Sequence, residues 1–234
     1  MKKHKGGATG AIEKHHERAK EAYQSNPDID LARSIDNFHI KTPEGKYYYE
    51  VQRRIEAAKC RTRKDSVRMV DTLIAATPEF VRALPAERQR EFFCHAYDFM
   101  KHKVGEENII AAVVHMDEAT PHMHLCFVPL TRDKRLSAKE ILGNKADMRR
   151  WQDEFHAHMS AKWPELERGE PAAETQRKHQ AVQAFKQTHV TPEYAQLWRQ
   201  HERLKRRWRR VPYAIREAIV EQEKARTKNA RPRQ

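Results

Sequence analysis

The stretch VVHMDEATPHMHLCFVPL, Val113 to Leu130, constrains the fold of this chain more than any other segment. NIIAAVVHM reads as a strand, DEATP as a turn and HMHLCFVPL as the returning strand, so the fold has to accommodate an antiparallel hairpin. Side chains alternate along a strand, which points His122, His124 and Cys126 one way and Met123, Leu125 and Phe127 the other. The turn then lets His115, at the end of the first strand, reach the histidine face. Three imidazoles on rigid backbone can converge on one ion at bond lengths of about 2.0–2.2 Å. Three neutral nitrogen ligands also leave coordination positions open, which is the catalytic arrangement. Asp117 and Glu118, in the connecting turn, are placed to orient an imidazole or to act as acid and base. The plainer alternative makes these histidines the wet face of a hairpin. A lone histidine would deserve that reading, but three close together, two of them at strand period, point to a metal site. Cys126 shares their face and reads as a small buried apolar residue rather than a fourth ligand. Imidazole suits zinc, nickel, copper and iron; a phosphate oxygen in the shell would make manganese or magnesium acceptable.

Helical periodicity surrounds the hairpin. TGAIEKHHERAKEAY, from Thr9 to Tyr23, places Ala11, Ile12, His15, Ala19 and Ala22 on one face, and the turn residues of QSNPDID end it. KYYYEVQRRIEAAK is helical with Tyr48, Val51 and Ile55 in register. Ser66–Ala76 reads as a strand stopping at Thr77-Pro78, and AERQREFFCHAYDFMKHKVG as an amphipathic helix with Gly105 just past its end. LSAKEIL and KADMRRWQDEFHAHMSAKW follow as helices, the second with Met148, Trp151, Phe155 and Met159 at turn spacing.

The chain has 234 residues and a formal net charge of +13. That length suffices for one sizeable domain and an appendage, and the charge favours a polyanionic partner, nucleic acid before an anionic membrane. No apolar run is long enough to span a bilayer, and MKKHKGGATG lacks the apolar core of a secretory signal. Cys60, Cys94 and Cys126 are scattered and odd in number, the usage of a reducing bacterial cytoplasm. The last stretch, Arg199 to Gln234, carries thirteen Lys/Arg against four Glu. Trp198 and Trp208 interleave with arginines there, so Arg206, Arg207 and Trp208 suit phosphate contact and base stacking. A solvated helix with snorkelling arginines is the alternative.

KHHER, Lys14 to Arg18, sets His15 on the small-residue face of the first helix, with His16 about 100° away. An imidazole is largely neutral and nucleophilic near pH 7. Taken together, HMDEATPHMH followed by VP resembles the H-x-D-E-x-T-P-H-x-H signature of the MobV (Pre/Mob) plasmid mobilisation relaxases. KHHER, SNPDID and RSIDNF sit where that family carries K-H-x-E-R, asparagine/aspartate and R-S-x-x-N patterns, and LSAKEIL and ELERGE look like its later segments. The resemblance covers roughly residues 1 to 190.

It implies an α/β (α+β) fold: a mainly antiparallel sheet of the histidine-hydrophobe-histidine relaxase type with helices packed on one face. Residues 1–175 would be the catalytic domain, lacking the usual first apolar strand, and 176–234 a helical basic region. The implied activity is a divalent-metal-dependent nick of one DNA strand at a plasmid transfer origin. The enzyme would stay on the 5′ end, for conjugative mobilisation or plasmid recombination, with other conjugation proteins as further partners. By motif position His115, His122 and His124 would hold the ion, Mn2+ or Mg2+ ahead of Zn2+ or Ni2+. Glu118 would assist them, His15 would be the nucleophile with Arg18 beside it, and Arg33, Ser34 and Asn37 would meet single-stranded or hairpin DNA. Phe38 stands where some relatives have tyrosine, which moves the nucleophile toward His15 and leaves Tyr23 and Tyr47–Tyr49 as fallbacks. A non-catalytic DNA-binding protein, or a replication initiator of the same fold, would share these features.

Overall fold

A computed structural model describes residues 1–20, 23, 26 and 29–169. Five strands form one sheet in the order β1-β3-β5-β4-β2, every neighbouring pair antiparallel. The strands are β1 (Lys2–His4), β2 (Phe38–Lys41), β3 (Met69–Ala75), β4 (Ile109–His115) and β5 (His122–Phe127). The helices are α1 (Thr9–His16), α2 (Tyr47–Ala57), α3 (Pro78–Ala83), α4 (Ala86–Val104), α5 (Ala138–Leu142) and α6 (Lys145–Ser160). The basic segment at Lys2–His4 itself supplies the edge strand beside β3. The 176–234 region, with Arg206, Arg207 and Trp208, lies outside the described residues. Among the described residues no helix is long and apolar enough to cross a membrane.

The hairpin sits at the centre. β4 pairs with β5 so that His115 faces His122 and Val113 faces His124, while β3 sets Leu73 opposite His124 and Asp71 opposite Cys126. Near its start β4 slips by one residue, between the Ile109–Phe127 and Ala111–Cys126 pairs. Strict alternation would put Ile109 on the same face as His115. The bulge absorbs Ile110, so Ile109 joins Phe127 in one core while Ile110 and Ala111 both turn to the other.

Helices cover both faces of the sheet, not one. On the first face Phe92, Phe93, Ala96, Met100 and Val104 of α4, with Met159 of α6 and Trp163, pack on Val70, Ile74, Val114, Met123, Leu125 and Phe127. Met148, Trp151 and Phe155 join this core from the predicted stripe of α6. On the second face Tyr47, Val51 and Ile55 of α2 cover Met69, Ile110, Ala111 and Cys126. Residues four apart share a helix face, and here that row begins at Tyr47; Tyr48, expected in it, is exposed. Thus the second face is apolar under α2 and becomes histidine-rich toward the hairpin turn.

The first helix ends at His16, well short of Tyr23. Arg18 adopts a left-handed φ of 51°, which no α-helix continues through, and its side chain is captured by the Asp117–Glu118 turn. Two short elements carry too little periodicity to be read in advance: β2, and α3 with Pro78 in its first turn. Gly105 does end α4, with φ 83°.

Candidate metal centre

Three elements deliver five imidazoles to one end of the sheet. His115 ends β4, His122 and His124 open β5, and His15 and His16 close α1. The His115, His122 and His124 ring centroids lie 5.0–5.3 Å apart. His15 stands 5.6 Å from His115 and 5.2 Å from His124, edge-on to both, and His16 lies 4.2 Å from His124. His115 is fully buried and His122 and His124 nearly so, which excludes a wet hairpin face.

Hydrogen bonds fix which nitrogen each ring offers. Carbonyl and carboxylate oxygens only accept, so His115 Nε2–H donates to the His16 carbonyl (2.9 Å), and His122 Nδ1–H donates to the Thr120 carbonyl (2.8 Å). His124 Nδ1–H donates to Asp71 Oδ1 (3.3 Å). The opposite nitrogens keep their lone pairs, as second-sphere partners commonly arrange for metal-binding histidines. Among the described residues, His115 Nδ1 is buried without any hydrogen-bond partner. Ligand-capable atoms approach within 4.8 Å of one another in three sets: His15, His115 and His124; His115, Glu118 and His122; and His16, Asp71 and His124. The sequence-derived trio is thus brought together, but each tight set pairs its members with a residue from elsewhere.

The acids of the turn have different jobs. Asp117, fully buried, accepts Arg18 Nε (2.8 Å) and NH2 (2.6 Å), Ser34 Oγ (2.6 Å) and Asn37 Nδ2 (2.8 Å). Burial alone would raise its pKa; the hydrogen bonds from Arg18, Ser34 and Asn37 outweigh that and hold the carboxyl well below the usual range. Glu118 Oε1 accepts Arg18 NH2 (2.8 Å) and lies 3.9 Å from His115 Nδ1 and 3.8 Å from His122 Nε2. Its Oε2 accepts Asn26 Nδ2 (2.6 Å). Arg18 NH1 donates to the His15 carbonyl (3.1 Å), tying the helix end to the turn. Arg33, exposed, gives one NH2 bond to the Met116 carbonyl (2.7 Å), and Asn37 Oδ1 accepts Met116 N–H (2.7 Å). Ser34 and Asn37 therefore brace the turn.

Burial, then the neighbouring His124 and Arg18, lowers the His15 pKa to about 4. Burial likewise pushes His16, His115 and His122 down. Neutral rings of this kind can bind a cation or present a nucleophilic nitrogen. His15 is half-buried, whereas His16 is sealed between Tyr47 Oη (3.4 Å), Cys126 Sγ (3.9 Å) and Asp71 (3.7 Å). Asp71 escaped the sequence reading, although a carboxylate inside the apolar strand MVDTLIA was a visible signal.

Against known proteins, the model of the Mob_Pre family, described as plasmid recombination enzyme, matches residues 1–187. A plasmid recombination enzyme type 1 of Staphylococcus aureus is 37% identical over 186 residues, 78% of this chain and 46% of its own length. A type 3 enzyme of Mammaliicoccus lentus is 35% identical over 186 residues, 78% of this chain and 45% of its own. The chain thus spans about half the length of the curated relatives it matches. Among solved structures, a MobM relaxase domain in an Mn-bound crystal structure with plasmid pMV158 oriT DNA superposes with a TM-score of 0.74. Its identity is 32%, covering 81% of this chain and 96% of that one.

Proposed function

This chain belongs to the plasmid recombination enzyme family, and from that premise we propose that it is a divalent-metal-dependent relaxase. It nicks one strand at a plasmid transfer origin and forms a covalent 5′ adduct, for conjugative mobilisation or plasmid recombination. The observation that carries this reading is the approach of the half-buried His15 to His115 and His124 at the end of the hairpin. Manganese, found in the similar MobM domain, or magnesium suits the site once a phosphate oxygen joins; zinc or nickel would suit the imidazoles.

His115 through Nδ1, His122 through Nε2 and His124 would hold the ion, with Glu118 Oε1 close to the first two. The orphaned lone pair of His115 and the locked tautomers of the other rings fit such a group. When bound, the cation supplies positive charge against a non-bridging oxygen of the scissile phosphate. His15, neutral at pH 7 because of its burial, attacks phosphorus in line with a ring nitrogen. The P–N bond forms as the P–O3′ bond breaks, and the leaving oxygen takes up a proton to become a 3′ hydroxyl. The phosphoramidate keeps the energy needed to rejoin strands. Arg18 holds the His15 carbonyl and both turn carboxylates, so it positions nucleophile and turn together. Arg33 reaches phosphate from the surface, while Ser34 and Asn37 meet the DNA path from the braced turn. Arg206, Arg207 and Trp208 extend the contact to flanking DNA.

The test is a supercoiled plasmid carrying the cognate origin, incubated with Mn2+ and either the native protein or His15→Ala. Relaxed, protein-linked DNA is expected from the first, and binding without linkage from the second. Equal linkage from both would move the nucleophile elsewhere. Salt-sensitive binding with no nick from the native protein would favour the non-catalytic reading.

A further inference from the structure

We propose that His16, Asp71 and His124 form a second divalent-cation seat, beneath the proposed catalytic ion and distinct from it, suited to a nitrogen-preferring ion of the zinc type. Three observations meet there. His16, 2% exposed, aims Nε2 at Asp71 Oδ1 from 3.7 Å, and that nitrogen has no hydrogen-bond partner among the described residues. Asp71 turns the same oxygen to His124 Nδ1 at 3.3 Å. Its side chain is 13% exposed, and no lysine or arginine pairs with it among the described residues. A largely buried carboxylate facing only imidazoles lacks a compensating charge, which is costly in a poorly solvated site. A divalent ion would supply that charge and occupy the orphaned nitrogen at once.

The two seats need not compete. The ligand-capable atoms of His16, Asp71 and His124 lie within 4.8 Å of one another, as do those of His115, Glu118 and His122, and the sets share no residue. Glu118 can therefore close the outer set, leaving His124 Nδ1 for the inner one. The inner ion replaces the proton that His124 Nδ1 shares with Asp71, and the ring carries its proton on Nε2 instead. Two imidazoles and one carboxylate are a borderline donor set that zinc accepts in tetrahedral geometry. Such an ion staples the end of α1 to β3 and β5, one residue from His15, and so fixes the proposed nucleophile through the backbone. The rival account puts a proton there, making one of the two rings an imidazolium.

Counting ions needs no DNA, so the result is independent of whether the chain nicks. Chelator-stripped full-length protein is loaded with excess Zn2+, desalted and assayed for metal by mass spectrometry, with folding checked by circular dichroism. The expected content is about two ions per chain, falling to about one in His16→Asn, in Asp71→Asn and in His122→Ala. Asp71→Asn is nearly isosteric and keeps the test decisive if His16→Asn fails to fold. A native content of about one ion, or a zinc content unchanged by both inner-set substitutions, overturns the second seat.

Discussion

Arg18 shows how much of this site one side chain can hold. Its left-handed backbone ends α1, its guanidinium spans Asp117 and Glu118, and it also reaches the His15 carbonyl. The pair it makes with Asp117 is almost wholly shielded, at 7% and 0% side-chain exposure. Removing one partner of such a pair leaves a buried charge uncompensated, so Arg18→Ala should cost about 3–5 kcal/mol in urea unfolding of the metal-free protein. Arg18→Lys restores the charge but not the fork, and should fall between the two. A variant as stable as the native protein would mean that Ser34 and Asn37 alone suffice for Asp117. None of this was visible in KHHER, which placed Arg18 beside the nucleophile but could not say that its partners lay a hundred residues away.

At the scale of elements, α2 is clamped to the beginning of β4. Arg54 donates Nε to the Glu107 carbonyl (2.8 Å), NH2 to the Ile109 carbonyl (3.1 Å) and NH1 to Glu50 Oε2 (2.6 Å), next to the bulge. Burial would raise the Glu50 pKa; hydrogen bonds and charge from Arg54 and Arg53 outweigh that and place it below the ordinary 4.5. A carboxylate depressed in the folded state gives stability that is fully present above its unfolded pKa. That stability fades as pH falls through the folded value. Arg54→Ala should therefore destabilise by about 1–3 kcal/mol at pH 7, and the gap should narrow below about pH 4.5. Denaturant midpoints of both proteins at pH 7 and pH 3.5 would check this, and a gap independent of pH would remove Glu50 from the account. Elements with long periodicity, α4, α6 and the hairpin, were legible because their apolar spacing is local. β2 and α3 were not, since four and six residues leave burial to be decided by distant partners.

At the scale of the molecule, the net charge of +13 predicts association dominated by phosphate contacts. For about 6–10 such contacts, affinity for transfer-origin DNA should fall roughly 10³–10⁵-fold between about 50 and 200 mM salt. Replacing Arg206 and Arg207 together by alanine should flatten the log–log salt dependence by about two, measured by fluorescence anisotropy. An unchanged slope would assign those arginines to solvent. The class of partner and the histidine trio were legible because charge and strand parity are properties of the sequence itself. His16 and Asp71 were not: one looked like surface beside His15, and the other was a single acid in an apolar strand. The strand that carries two of the ligand candidates, β5, is bonded along both edges by β3 and β4 and covered on both faces. A catalyst that must cut a strand, wait and reseal it thus anchors its metal-binding side chains in the part of the molecule that breathes least. Any movement that admits and releases the nucleic acid falls to the short opening helix and the segment behind it.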